Sequence, residues 1–139
     1  MAVKFFAEDV EKPALKYRSI KQWIASEIEK ENFDIGNINY IFCSDEYLLK
    51  MNIKHLEHDY YTDIISFDYC EDNLISGDLF ISLDRIKENA VLYGTNESEI
   101  YRVMIHGILH LCGYKDDTEE ESENMRQREN EALLRLDLI

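Results

Sequence analysis

His106 and His110 stand four positions apart, Gly113 follows three positions after the second histidine, and Asp116 three after the glycine. On a helix, side chains at i and i+4 share one face, so both imidazoles can reach a single ion. Gly113 falls where a helix can stop in a left-handed conformation closed to most other residues, turning the chain so that Asp116 faces the histidines. Two imidazoles and a carboxylate make a three-ligand protein set, which leaves a coordination position for water and marks a catalytic rather than a structural metal site. Asp117 is the substitute oxygen donor if the register slips by one residue. A pair of histidines on a helix also arises by chance in a hydrogen-bonded core, but the glycine and the acid at fitting offsets favour a metal. Ile100, Val103, Met104, Ile108, Leu111 and Cys112 recur at helical spacing, with Thr95 as the expected cap. The histidines therefore sit on a largely buried helix, where two unpartnered rings would be costly. Glu99 and Arg102 lie on roughly the same face, seven and four positions before His106. They either orient the ligands or pair with each other, and mutual pairing is the simpler expectation.

Around this helix the chain reads as strands and helices without strict alternation. Residues 3–6 form a short strand. Pro13 precedes a helix with Ser19 and Gln22 as a capping box and Ile20, Trp23, Ile24 and Ile28 as its apolar stripe. Ile38, Tyr40 and Phe42 alternate as in a half-buried strand, and Ser44 caps a helix carrying Tyr47, Leu48 and Met51. Residues 62–69 and 79–83 are strand-like and, separated by Glu71-Asp72-Asn73 and by Gly77, suit an antiparallel pair. Ser82 or Asp84 starts a helix that ends at Gly94. After the histidine helix, Thr118 and Glu121 make a capping box for a last helix with Met125, Ala132, Leu133 and Leu136 facing the core. The expected class is α+β: a small mixed sheet of about four strands packed with about five helices, one of them a zincin-like metal helix.

The 139 residues are expected to form one domain, residues 1–139, burying roughly two-thirds of the unfolded surface without staples. Cys43, Cys70 and Cys112 are an odd set with no Cys-x-x-Cys pair, which suits small apolar fillers in a reducing compartment. The first ten residues carry no long apolar run, so neither a signal peptide nor a membrane span is expected, and the location expected is cytoplasmic. Lys plus Arg number 15 against 29 Asp plus Glu, a formal net charge of -14. A protein that neutralises many phosphates normally shows a basic patch. Here the acids Glu119, Glu120, Glu121 and Glu123 crowd the start of the last helix, where they favour its dipole. Lys12, Lys16, Arg18 and Lys21 form only a modest basic cluster.

The full spacing, His-x-x-x-His-x-x-Gly-x-x-ligand, resembles that of the metzincin zinc enzymes. Their general base is a glutamate directly after the first histidine, and Gly107 in that place argues against peptide hydrolysis. The run from His106 to Asp116 more closely resembles the signature of the YbeY endoribonucleases, His-Gly-x-Leu-His-Leu-x-Gly-Tyr-Asp-His. Asn52, Asp59, Thr62-Asp63, Ser66-Phe67 and Gly77-Asp78 fall in the order of that family's landmarks. The resemblance thus covers most of the chain from residue 38 onward, and nothing before Lys12 carries it. It implies a metal-dependent single-strand endoribonuclease of ribosomal RNA maturation, acting at the 3' end of 16S rRNA, and of ribosome quality control. It further implies ribosomal RNA and the small ribosomal subunit as partners, joined by ribosomal proteins or assembly factors. One Zn2+ or other divalent ion per chain would be held by His106, His110 and Asp116, the residues that would also carry catalysis.

Two positions depart from that family. Asp116 stands where a third histidine is usual, with Lys115 in place of the preceding acid. Two histidines plus one carboxylate remain a competent zinc set. The anionic ligand cancels one unit of metal charge, so a bound water is expected to be less acidic than in a three-histidine site. Leu56 stands where the family has an arginine thought to contact substrate phosphate, a role that leucine cannot fill. Lys54, His55, His58 and Lys115 are the nearby candidates for the missing charge, against their plain reading as surface residues. Together with the acidic balance, this predicts a short RNA footprint and weak intrinsic affinity. Two other readings stand beside the nuclease: a metallohydrolase or non-heme iron enzyme on another substrate, and a ribosome-assembly binding protein whose metal is structural.

Overall fold

Strict alternation in Val3 and Phe5, and in Ile38, Tyr40 and Phe42, turns one face of each strand toward a shared core. The computed structural model describes residues 2–56 and 61–136. Its elements are β1 (Val3–Ala7), α1 (Tyr17–Lys30), β2 (Asp34–Cys43), α2 (Asp45–Leu56), β3 (Ile64–Asp68), β4 (Leu74–Ser82), α3 (Leu83–Tyr93), α4 (Glu99–Leu111) and α5 (Glu119–Leu136), with a short 3-10 turn, Asn96–Ser98, leading into α4. The strands form one mixed sheet in the order β1-β2-β4-β3. Parallel pairs join β2 to β1 and to β4, while β3 runs antiparallel to β4. This is the α+β arrangement that the sequence predicts, including the antiparallel pair.

Several boundaries differ from expectation. β4 starts at Leu74 rather than at residue 79, because Gly77 lies inside the strand, paired with Ile38 on one side and Asp68 on the other. The Ser19–Gln22 box does not form: α1 already begins at Tyr17, with no side-chain cap, and the Tyr17 hydroxyl donates to the Pro13 carbonyl instead. The apolar stripe of Ile20, Trp23, Ile24 and Ile28, all fully buried, is what specifies this helix. Thr95 precedes the 3-10 turn and makes no side-chain cap to its backbone. The remaining caps form as read. Ser44 Oγ accepts from the Tyr47 amide at 3.2 Å, Ser82 Oγ from the Arg85 amide at 3.2 Å, and Thr118 and Glu121 reciprocate at 3.0 and 3.1 Å.

The main core lies between the sheet and helices α1, α4 and α5, and includes Trp23, Ile38, Tyr40, Leu79, Met104, Ile108 and Met125. On the other face of the sheet, Leu48 of α2 packs with Cys43 and Ile65, beside Phe67 and Phe80. Full burial of side chains of this size stabilises by about 1.5–3 kcal/mol each. Polar ties fix how the helices seat. Tyr40 Oη of β2 donates to the Met104 carbonyl of α4 at 3.0 Å, and Trp23 Nε1 of α1 donates to the Ala132 carbonyl of α5 at 2.8 Å. Arg135 of α5 pairs with the buried Glu27 of α1 at 2.6 Å. All three cysteines are free, and burial pushes the Cys43 and Cys112 thiols up to about 12, so at neutral pH both are inert fillers. Among the described residues, no helix is long and apolar enough to cross a membrane.

Gly107 lets helix α4 come close to the sheet. A Cβ there would lie 2.8 Å from Ile64 Cδ1 and 3.1 Å from Leu79 Cδ2. A side chain there would have to displace the ends of Ile64 and Leu79, so glycine is what lets the helix seat this closely. Gly107→Ala should therefore lower stability by about 1–3 kcal/mol through overpacking, outweighing the roughly 0.8–1 kcal/mol that alanine adds to helix propensity. A melting temperature at or above that of the wild type would contradict such tight seating.

Candidate metal centre

His106 and His110 project from the last two turns of α4, and the helix end delivers the third group. The Gly113 amide donates to the His110 carbonyl and the Tyr114 amide to the Leu109 carbonyl, both at 3.0 Å. This is the doubly bonded helix stop that calls for positive φ, and Gly113 sits at φ 106°. The chain turns back, and Asp116 Oδ2 comes to 3.4 Å from His106 Nε2 and 3.5 Å from His110 Nε2, while the two Nε2 atoms are 2.9 Å apart. Asp116, and not Asp117, joins the histidines in the one group among the described residues whose donor atoms could share an ion, all within 4.8 Å of one another.

Hydrogen bonding decides which nitrogens are free. His110 Nδ1 lies 2.9 Å from the Tyr114 carbonyl, which can only accept, so Nδ1 carries the proton. His106 Nδ1 lies 2.7 Å from a carboxylate oxygen of Glu129 and carries its proton likewise. With both rings neutral, two Nε2 lone pairs and a carboxylate oxygen converge on one point. That is repulsive unless a cation or a proton lies among them. Ligands 2.0–2.1 Å from a tetrahedral zinc stand roughly 3.3–3.4 Å from one another, close to the 2.9–3.5 Å spread here. The donor set fits a divalent metal.

Glu129 is the residue that the sequence reading missed. It is only 4% exposed and comes from the middle of α5, 23 positions beyond His106. Its second oxygen takes Arg102 Nη1 at 2.9 Å, and Arg102 Nη2 reaches Asn130 Oδ1 at 2.7 Å. The expected Glu99–Arg102 pair does not form, because α5 supplies a better-placed carboxylate and Glu99 instead accepts from the Thr95 hydroxyl at 2.8 Å. The signal was available: Glu129 lies at i+4 from Met125 and i−4 from Leu133, a charge set inside the apolar stripe of α5.

Burial alone would push the His106 pKa down, but the hydrogen bond and charge of Glu129, helped by Asp116 and Asp63, hold it above its ordinary value. Burial pushes Glu129 up, while His106 and Arg102 hold it below the usual carboxylate range. In the metal-free protein the His106–Glu129 pair thus stabilises most between the ordinary glutamate and histidine values, about 4.3 and about 6.5. Its contribution fades as pH rises through the raised His106 value, or falls through the depressed Glu129 value. The melting-temperature difference between metal-stripped wild type and Glu129→Gln should accordingly shrink from about pH 6 to about pH 9. A difference that grows with pH would contradict the pairing. Metal reverses the trend, since it takes neutral imidazoles.

Two cavities meet at the centre and share Asp63, His106 and Asp116. The larger, about 650 Å³, is walled by Asn52, Leu56, Thr62, Ser66 and His110 as well. The family landmarks Asn52, Thr62, Asp63 and Ser66 thus converge on the histidines. Leu56 is 43% exposed on this wall. Lys54 and His55 are exposed at the end of α2, with the His55 ring edge-on to Phe67 at 5.8 Å, and Lys115 is exposed beside Asp116. None of these three lines either cavity. His58 and Asp59 lie outside the described residues.

Comparison with known proteins bears on the whole chain. The family profile described as Endoribonuclease YbeY matches residues 5–137. A relative from Parabacteroides distasonis, named Endoribonuclease YbeY, is 51% identical over 134 residues, covering 96% of this chain and 94% of its own length. The protein of that name from Bacteroides thetaiotaomicron is 50% identical over 134 residues, covering 96% of this chain and 98% of its own. That from Cytophaga hutchinsonii is 50% identical over 131 residues, covering 93% and 92%. Among solved structures, the solution structure of a Thermotoga maritima protein aligns with a TM-score of 0.68 at 23% identity, over 96% of this chain and 88% of that one. That likeness shows the fold.

Proposed function

The chain belongs to the endoribonuclease YbeY family, and from that premise we propose that it is a metal-dependent endoribonuclease cutting single-stranded RNA during ribosomal RNA maturation, at the 3' end of 16S rRNA. In this reading one domain, residues 1–139, holds a divalent ion, zinc in the first instance, between His106, His110 and Asp116. The observation that carries it is the convergence of two imidazole lone pairs and a carboxylate oxygen at 2.9–3.5 Å on the wall of an open cavity. When bound, such an ion supplies a water of lowered pKa and a Lewis acid for the phosphoryl oxygens.

The chain's own residues do the rest. The Tyr114 carbonyl fixes the His110 tautomer and the Glu129 carboxylate that of His106, so both rings offer Nε2. Asp116 lowers the net charge of the centre by one unit. Burial holds the Asp63 carboxyl above its usual range at the junction of the two cavities. Among the described residues no lysine or arginine lines the larger cavity, and Lys54, His55 and Lys115 contribute only from outside it. Partners in this reading are ribosomal RNA, the small subunit, and its proteins or assembly factors, met in the cytoplasm. Inert, free thiols suit that reducing compartment.

With few cations among the described residues at the site, RNA binding should be weakly salt-dependent: fewer than about six phosphate contacts give a log–log slope shallower than about -4 for single strands. A steeper slope would contradict the sparse-contact reading. The activity itself is tested by stripping the metal with a chelator and following cleavage of single-stranded RNA before and after adding zinc. Loss and recovery, with equal rates in anaerobic buffer, are expected. Cleavage indifferent to chelation would overturn the proposal.

A further inference from the structure

The smaller cavity does not belong to the wall on which Leu56 lies. Beyond the centre it is built from α3, α4 and α5, with Asn89 and Tyr93 from the first, Arg102 from the second, and Met125 and Arg126 from the third. Its volume, about 280 Å³, falls just below the roughly 300–1,000 Å³ typical of pockets for drug-sized ligands. That is room enough for one flat heterocycle.

Its charge points the same way. Carboxylates of Asp63, Glu99, Asp116 and Glu129 face the guanidinium groups of Arg102 and Arg126, which lie 2.9 and 3.9 Å from Glu129. Arg102 has both terminal nitrogens engaged by Glu129 and Asn130, which leaves it no free fork for a phosphate. A base suits such a lining. The Asp63 carboxylate and the Asn89 amide offer acceptors and donors to the edge of a heterocycle, and Met125 is a buried apolar residue of the wall. Tyr93, at the last position of α3, is 64% exposed. An aromatic ring standing in water at the rim of a cavity beside a phosphodiester-cutting centre is a stacking platform.

We propose that this cavity is a nucleobase subsite, which takes the base of a nucleotide adjoining the scissile phosphate, stacked on Tyr93. The proposal rests on the endoribonuclease reading. The test uses the full metal-loaded chain and a single-stranded RNA oligonucleotide whose cut has been mapped, intact or abasic at each nucleotide flanking that cut. Tyr93→Ala should lower kcat/KM on the intact strand by about 5–150-fold, the worth of one base–aromatic stack. Tyr93→Phe should keep the rate, and so should Leu92→Ala, which alters a neighbour that is also well exposed. One abasic position should reproduce the loss in the wild type and add nothing to Tyr93→Ala, as a coupled pair requires. A Tyr93→Ala chain that cuts the intact strand at the wild-type rate would overturn the subsite alone. So would equal losses from Tyr93→Ala and Leu92→Ala, which would assign the exposed end of α3 to another contact. A metal-loaded wild type that leaves every RNA uncut would overturn the parent reading and the subsite with it.

Discussion

His110→Ala is expected to abolish RNA cleavage in a chain that still folds. The ring is about one-third exposed and makes one hydrogen bond outside the cluster, to the Tyr114 carbonyl. Losing it should cost the metal-free protein only about 1 kcal/mol. The chemistry should depend on it far more heavily, because in the proposed centre it is one of the three donors that come together among the described residues. Its removal should lower cleavage by more than the roughly 10–100-fold that follows loss of a group merely supporting a metal ligand. Circular dichroism and thermal melting of the metal-free variant, beside cleavage of single-stranded RNA, separate the two effects. A structural metal predicts the opposite pattern, in which folding collapses whenever the ion is absent. Wild-type cleavage by His110→Ala would remove it from the site altogether.

The second large effect is expected at Glu129, which touches neither the ion position nor the larger cavity. Its carboxylate holds the His106 ring in the tautomer that presents Nε2, and it carries the charge that Arg102 answers. Glu129→Gln keeps the shape but removes the charge, so metal affinity should fall by about 10–100-fold. Stability should fall as well, by up to about 3–5 kcal/mol, because Arg102 is left as a largely buried cation without its counterion. The double variant Arg102→Met/Glu129→Gln removes that second penalty and isolates the first. Its metal affinity should remain low while its stability recovers, and cleavage at saturating metal should approach that of the wild type. Unchanged metal affinity in both variants would reduce Glu129 to a packing role.

The candidate metal cluster was readable because its geometry is local. Two histidines one turn apart, a glycine able to take positive φ and an acid three positions on lie within a single helix and its stop, where spacing in sequence converts directly into spacing in space. The strands were readable for the same reason, through alternation, although their ends were not: Gly77 reads as a break yet pairs inside β4. Glu129 was hidden by composition. It is one of many acids on a strongly acidic helix, and only its phase within the stripe of Met125 and Leu133 marks it as buried. The Glu99–Arg102 expectation failed on the same ground, since nothing local reveals that α5 packs against α4 and brings a competing carboxylate. The positions of Lys54, His55 and Lys115 followed the same limit, because proximity in sequence to Leu56 or Asp116 did not bring them onto a cavity wall.

The central claim is that these three side chains hold one divalent ion, and elemental analysis of the protein purified without chelators tests it most directly. The wild type is expected to carry about one equivalent of a divalent metal per chain, and His106→Ala, His110→Ala and Asp116→Ala each to lose most of it while remaining folded. A wild type that carries none and takes up none from added zinc, or variants that retain a full equivalent, would contradict it.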